Sequence, residues 1–371
     1  MDFDLSPEQL ALRATVRDLF ADHYDSIEQR NAVSSTDLGW SESLWRQAAT
    51  MGLLGLPFDE EYGGMGAGPV EISVAMEEAG RVLAPEPFVE AVYLPGMLIS
   101  RAANPEQRKR MIAPLVAGDT RAAFAHDEPG SRWPTNRVQT QAKQDGDQVL
   151  LTGRKRPVAA ADSADLLIVS ALTTEGTTGL YAVDAGSAGL QRHVYRTHDE
   201  RRGAELVFDQ VPAEPLAERA EVTALVTEGY ICAQTAQCAE AVGAMRAVLQ
   251  LTVDYLKARQ QFGVPLSTFQ ALTHRAADMY EAVELANSLT LQATAALADG
   301  IVDPVLASRA KLQVGRASVF VGEQAVQMHG GIGITREYPA SHFLSRLTAI
   351  SRTFGSTDDH LRHLASLVGT D

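Results

Sequence analysis

The chain has 371 residues, 45% of them hydrophobic and 21% charged, a globular composition that excludes a disordered, fibrous or disulfide-stapled protein. At roughly two and a half typical domain lengths, it predicts two or three domains around a large buried core, too much for a lone binding module. Its 32 Lys and Arg against 47 Asp and Glu leave a net charge of -15, which excludes non-specific attraction to nucleic acid or an anionic membrane and repels polyanions except where specific arginines receive them.

From Asp4 to about Gly118 the apolar residues recur with a helical period: Leu10, Val16, Leu19 and Phe20 form one stripe, and Leu44, Trp45, Ala48 and Met51 another. Ser6-Pro7-Glu8-Gln9 supplies an N-cap, a first-turn proline and a capping-box glutamine. The run from Pro57 to Gly66 cannot continue a helix and predicts an ordered loop. From about Thr120 to Glu218 the pattern changes to short β-rich runs, Val149–Thr152, Leu166–Val169, Leu180–Val183 and Leu206–Phe208, with Asp145-Gly146-Asp147 as a hairpin turn. After Ala220, long alanine-rich helical patterns extend to Leu367, of the kind that packs into a bundle and oligomerises through it.

The fold class is therefore α+β: a helical N-terminal domain (residues 1–119), a barrel-like middle β domain (120–218) and a C-terminal helical bundle (219–371). Neither a basic leader with an apolar run nor a stretch of 18 apolar residues occurs, so a cytoplasmic location is expected. Cys232 and Cys238 fall on different sides of a helix and read as small core residues. No His, Cys and carboxylate cluster has metal-ligand spacing, so no metal is expected.

Three segments resemble the acyl-CoA dehydrogenase family of flavoproteins. Met51-Gly52-Leu53-Leu54-Gly55-Leu56-Pro57, with the Glu61-Tyr62-Gly63-Gly64 loop and Glu77-Glu78, looks like its N-terminal signature. Arg259-Gln260-Gln261-Phe262-Gly263, followed by Phe269-Gln270, is similar to its Arg-x-x-Phe-Gly element. Gln327-Met328-His329-Gly330-Gly331-Ile332-Gly333, followed by Glu337-Tyr338-Pro339, is similar to its glycine-rich C-terminal segment. Each alone is weak; three in order, at family-like spacing, carry the resemblance.

The resemblance implies a C-terminal four-helix bundle and FAD as cofactor. Arg259 offers a planar fork of donors suited to a pyrophosphate, and Gly330 and Gly331 leave room for a close dinucleotide. In the family, Arg259, Phe262, Gly263, Gln327, Gly330 and Gly331 match residues that hold the adenosine and pyrophosphate end of a neighbouring subunit's FAD. Read without the family, Arg259 is a surface helix cap and Gly330-Gly331 a tight turn.

The reaction centre departs from the family pattern. Dehydrogenation needs a carboxylate to take the proton beside the thioester carbonyl. The usual glutamate position, before a Gly-Thr, corresponds here to Gly355 in Thr353-Phe354-Gly355-Ser356-Thr357, or to Phe354 if counted without a gap from Pro339. The other base position known in the family, ten residues before Gly243, holds Ala233, with Gln234 where a substrate-side arginine usually follows. Glu240, seven residues beyond Ala233, is a weak candidate replacement, as are Asp358 and Asp359; each more readily serves a bundle ion pair or a helix start. The family's Thr-Glu-Pro-Gly-x-x-Ser-Asp loop is matched only in its first half by Asp127-Glu128-Pro129-Gly130-Ser131, which continues Arg132-Trp133-Pro134. The Trp-Ile-Thr that lies against the flavin ring becomes Pro157-Val158-Ala159.

Three readings follow. In the first, the chain is the non-catalytic subunit of a heteromeric acyl-CoA dehydrogenase of the α2β2 steroid-degradation type, and a partner chain carries the glutamate and most of the acyl-CoA site. In the second, it is a self-sufficient flavoenzyme with a relocated base or a flavin-dependent monooxygenase. In the third, it is a scaffold derived from the fold.

Overall fold

A computed structural model of the chain describes residues 4–131, 133, 138–218 and 221–368. The helices α1 (Pro7–His23), α2 (Ile27–Ser34), α3 (Glu42–Thr50), α4 (Pro69–Arg81), α5 (Leu94–Ala102) and α6 (Pro105–Val116) come first. The strands β1 (Ala122–Ala125), β2 (Gln141–Asp145), β3 (Gln148–Ala159), β4 (Leu166–Leu172), β5 (Thr178–Asp184), β6 (Leu190–Arg196) and β7 (Arg202–Glu218) follow. After α7 (Val222–Ala258) come the two-residue strands β8 (Gln260–Gln261) and β9 (Val264–Pro265), then α8 (Gln270–Ala298), α9 (Pro304–His329), α10 (Pro339–Ile350) and α11 (Thr357–Leu367).

Local chemistry sets many of these boundaries. Ser6 and Gln9 close a capping box on α1, as the sequence predicts, and Asn104 with Gln107 does the same for α6. The Asp303 carboxylate accepts from the Val305 and Leu306 N–H groups ahead of Pro304, opening α9 where a proline costs no hydrogen bond.

The chain forms two compact units. One contains the sequence up to Thr36, Pro69–Pro85 and everything from Gln234 onward; the other contains Asp37–Gly68 and Glu86–Ala233. In the second, the sheet unit, β4 pairs with β5, β5 with β7, β7 with β3, β3 with β2, and β2 returns to β4, so five strands close a ring. β1 runs parallel to β4, and β6 lies along β7. Leu151, Leu167, Val169, Tyr181, Leu206, Phe208 and Val211 fill its core.

In the first, the bundle unit, Val242, Met245 and Val248 of α7 pack with Met279 and Val283 of α8, Val314 and Val321 of α9, and Leu347 and Ile350 of α10. Two glycines let α4 and α7 touch backbone to backbone. A Cβ on Gly80 would lie 1.9 Å from the Glu240 carbonyl oxygen, and one on Gly243 1.9 Å from that of Glu77. Among the described residues no helix is long and apolar enough to cross a membrane.

Candidate cofactor-binding site

Helix α7 ends where the Arg259 N–H donates to the Tyr255 carbonyl at 2.8 Å, and β8 and β9 then form a hairpin whose two-residue loop is Phe262-Gly263. Both loop residues have positive φ, +56° and +82°, as a loop matching the twist of its flanking strands requires. For Gly263 this is free; for a phenylalanine it costs on the order of 1–3 kcal/mol. The Phe262 side chain is 92% exposed and meets the Phe269 ring edge-on at 6.2 Å. The exposed Arg259 guanidinium makes no hydrogen bond or ion pair among the described residues.

Gln327 lies exposed on the last turn of α9, which ends at His329. Gly330 follows at φ +68° and ψ -143°, a conformation that a side chain disfavours, and opens a tight 3-10 turn through Ile334. A Cβ added at Gly330 or Gly331 would find nothing within 4 Å. The two segments, some seventy residues apart, meet at Tyr255: its hydroxyl donates to the His329 carbonyl at 3.3 Å and its ring lies 4.5 Å from the imidazole. All six residues expected at the adenosine end thus belong to one unit, in one hairpin and one neighbouring helix end.

The positions matched to the catalytic base hold no carboxylate. Gly355 is buried at φ +97°, next to Phe354 at φ +53°; the Phe354 carbonyl accepts from Gln234 Nε2 at 2.9 Å and from the His360 ring at 3.1 Å. Burial, reinforced by the Lys311 charge, pushes the His360 imidazole down to about 4. Ala233 is buried as well. Glu240 is engaged: both its oxygens accept from the Arg346 guanidinium at 2.7 Å, in a buried bidentate pair. Asp359 caps α11, receiving the Ser356 N–H and hydroxyl; these bonds and Arg362 outweigh burial and hold its carboxyl below the usual range.

In the sheet unit, the loop matched to the flavin-ring cradle is tied to its own surroundings. The buried Glu128 carboxylate accepts from the N–H and hydroxyl of Thr140, the N–H of Gln139 and Lys155 Nζ at 2.8 Å. Burial lowers the Lys155 ammonium to about 8 against the pull of Glu128; Nζ also donates to the His126 carbonyl and the Ser170 hydroxyl. The His126 ring stacks on Phe124 at 5.3 Å and meets Tyr230 edge-on at 5.6 Å, and the Tyr230 hydroxyl reaches Asp127 at 3.5 Å. Pro157 and Ala159 are exposed. Arg132 and Pro134 lie outside the described residues.

Sequence reasoning missed Lys155, His126, Tyr230 and Tyr255. Only Tyr255 left a signal, one helical turn before Arg259.

The sequence matches the family described as Acyl-CoA dehydrogenase, N-terminal domain, over residues 6–119, and Acyl-CoA dehydrogenase, C-terminal domain, over residues 233–368. The acyl-CoA dehydrogenase FadE12 of Mycobacterium tuberculosis is 31% identical over 333 residues, which span 84% of this chain and 85% of FadE12. The chain belongs to the acyl-CoA dehydrogenase family. Another acyl-CoA dehydrogenase, the short-chain-specific one of Clostridium acetobutylicum, is 28% identical over 93% of both chains. Among solved structures, a variant of the Tcur3481-Tcur3483 steroid ACAD is similar at 33% identity and a TM-score of 0.89, covering 97% of each chain. The architecture of the two units is accordingly the acyl-CoA dehydrogenase fold.

Proposed function

We propose that this chain is a subunit of an FAD-dependent acyl-CoA dehydrogenase that holds the adenosine and pyrophosphate end of the cofactor and leaves the chemistry to a second, catalytic subunit. The observation that carries this reading is the contrast between an open, unpartnered Arg259–Phe262–Gly330–Gly331 surface and base positions filled by Gly355 and Ala233.

FAD fits one half of the residues present. An unpaired guanidinium beside two glycines with open space above them suits a pyrophosphate, and an exposed phenyl suits an adenosine face. The ring half does not fit. Ala159 has no hydroxyl to donate, Pro157 has no indole to stack, and the Asp127 carboxylate, where the family has a threonine, can only accept hydrogen bonds. When bound, the flavin supplies the hydride acceptor for α,β-dehydrogenation of an acyl-CoA thioester. The proton beside the carbonyl then requires a carboxylate from the partner, because Glu240 is committed to Arg346 and Asp359 to its helix cap. The heteromeric name of the 33%-identical steroid ACAD supports both a partner chain and a bulky, steroid-derived acyl group.

Coexpression with a glutamate-bearing acyl-CoA dehydrogenase subunit tests the reading: a stable hetero-oligomer with one FAD per pair of chains is expected. A homogeneous oligomer of this chain alone, with one FAD per chain and dehydrogenase activity, would overturn it. A self-sufficient flavoenzyme would still have to seat its own ring against Pro157 and Ala159. A scaffold would have no use for a strained, exposed Phe262 beside a free arginine.

A further inference from the structure

We propose that Tyr255 is a positioning residue for the FAD-binding surface, setting the Gly330–Gly331 segment and Arg259 relative to each other through the backbone of His329. The inference rests on the reading above that this surface receives the adenosine end of FAD.

Space is open where side chains of Gly330 and Gly331 would be, so no side-chain packing locates them. Their position has to come from the residues on either side. After them, Gly333 is packed so tightly that a Cβ there would lie 2.9 Å from both the His329 Cβ and the Val326 carbonyl oxygen. Before them stands His329, so both ends of the segment refer back to the same residue.

His329 is itself held from three directions. Its Nδ1 donates to the Ala325 carbonyl at 2.7 Å, and burial lowers the ring's pKa. Packing holds the far side of the ring, with Tyr255 at 4.5 Å and Tyr338 at 4.9 Å. The third hold is on the backbone, where the Tyr255 hydroxyl donates to the His329 carbonyl at 3.3 Å. That carbonyl shares a rigid peptide plane with the Gly330 N–H, so orienting one orients the other. The Gly330 N–H donates to Val326, and the chain leaves Gly330 at φ +68°.

Tyr255 also accepts the Arg259 N–H through its own carbonyl. One residue therefore holds the start of the phosphate-binding hairpin with its main chain and the glycine segment with its side chain. Their spacing, which a pyrophosphate must bridge, depends on it.

The test is equilibrium FAD titration of the FAD-depleted coexpressed complex, followed by flavin fluorescence, alongside its unfolding midpoint. Tyr255→Phe removes only the hydroxyl and should weaken FAD binding about threefold to tenfold, the size of one neutral hydrogen bond. The unfolding midpoint of the FAD-free complex should fall only by what one neutral hydrogen bond contributes, and the salt dependence of binding should stay unchanged. Tyr280→Phe, which removes the hydroxyl of an exposed tyrosine on α8 outside this arrangement, should bind FAD like the wild type. Unaltered FAD affinity in Tyr255→Phe, or an equal loss in Tyr280→Phe, would overturn the inference. Arg259→Ala separates this from failure of the underlying reading: it should weaken binding and flatten the salt dependence, and if it does neither, the surface does not hold a pyrophosphate at all.

Discussion

The Phe262 hairpin of the bundle unit and the Asp127 loop of the sheet unit both fall on segments matched to one cofactor, and they are built in opposite ways. In the hairpin, an arginine has no partner among the described residues and a phenylalanine is held at positive φ with its ring in solvent. In the loop, every strong polar group of Glu128 and Lys155 is spent inside the unit, and His126, Phe124 and Tyr230 pack on one another. Unsatisfied donors and local strain persist where something outside the chain repays them; satisfied networks mark structure. The contrast distinguishes the proposed binding surface from a loop whose polar groups are satisfied within its own unit.

The largest effect expected from this comparison is structural. Lys155→Met leaves the buried Glu128 without its cation and should lower stability by about 3–5 kcal/mol, read as a drop in the denaturant midpoint. Arg259→Ala should leave that midpoint where it is. Equal losses in the two variants would erase the distinction between framework and surface.

The corner around Gly355 offers a second handle, through acid. The folded-state pKa of His360 is lowered, so the unfolded chain takes the proton first. The stability this histidine contributes is intact above pH 6.5 and is lost as pH falls toward about 4, on the order of 3 kcal/mol in all. His360→Gln, which can still donate to the Phe354 carbonyl, should flatten that limb of a pH–stability curve.

Next comes Arg259→Ala on FAD itself. Loss of a charge-assisted contact to phosphate is worth about 1.5–3 kcal/mol, a roughly tenfold to hundredfold weaker FAD affinity in the assembled complex. The smallest effect concerns Phe262. Phe262→Asn creates the Asn-Gly pair that such a loop prefers and should raise stability by up to about 1 kcal/mol, while FAD binds a few-fold more weakly by titration. A variant that gains stability and keeps its flavin would mean the exposed ring serves something else.

Much of this was legible beforehand. The β-rich run Val149–Thr152 lies within β3, Asp145-Gly146-Asp147 marks the β2–β3 turn, and Ser356 with Asp359 starts α11. The resemblance of their segments to a known family brought Arg259 and Gly330 to notice. The hidden parts were pairings between distant residues: Glu128 with Lys155, His126 with Tyr230, and Glu240 with Arg346 across more than a hundred positions. Charge and polarity show that a residue needs a partner; only the closed strand ring and the packed helices decide which one it meets. The Phe262 loop was hidden for another reason, since phenylalanine is a poor signal for a left-handed turn residue.

The crossing of α4 and α7 bears on descent. With the Glu240 and Glu77 carbonyls lodged against Gly80 and Gly243, turning α7 by one residue would drive a side chain into a backbone oxygen. No helix slippage can therefore carry a neighbouring carboxylate into the place of Ala233. A carboxylate at either matched base position would have to come from a point change at Ala233 or at Gly355, where the positive φ penalises any glutamate. The rigid crossing thus narrows the routes by which a carboxylate could reach either position.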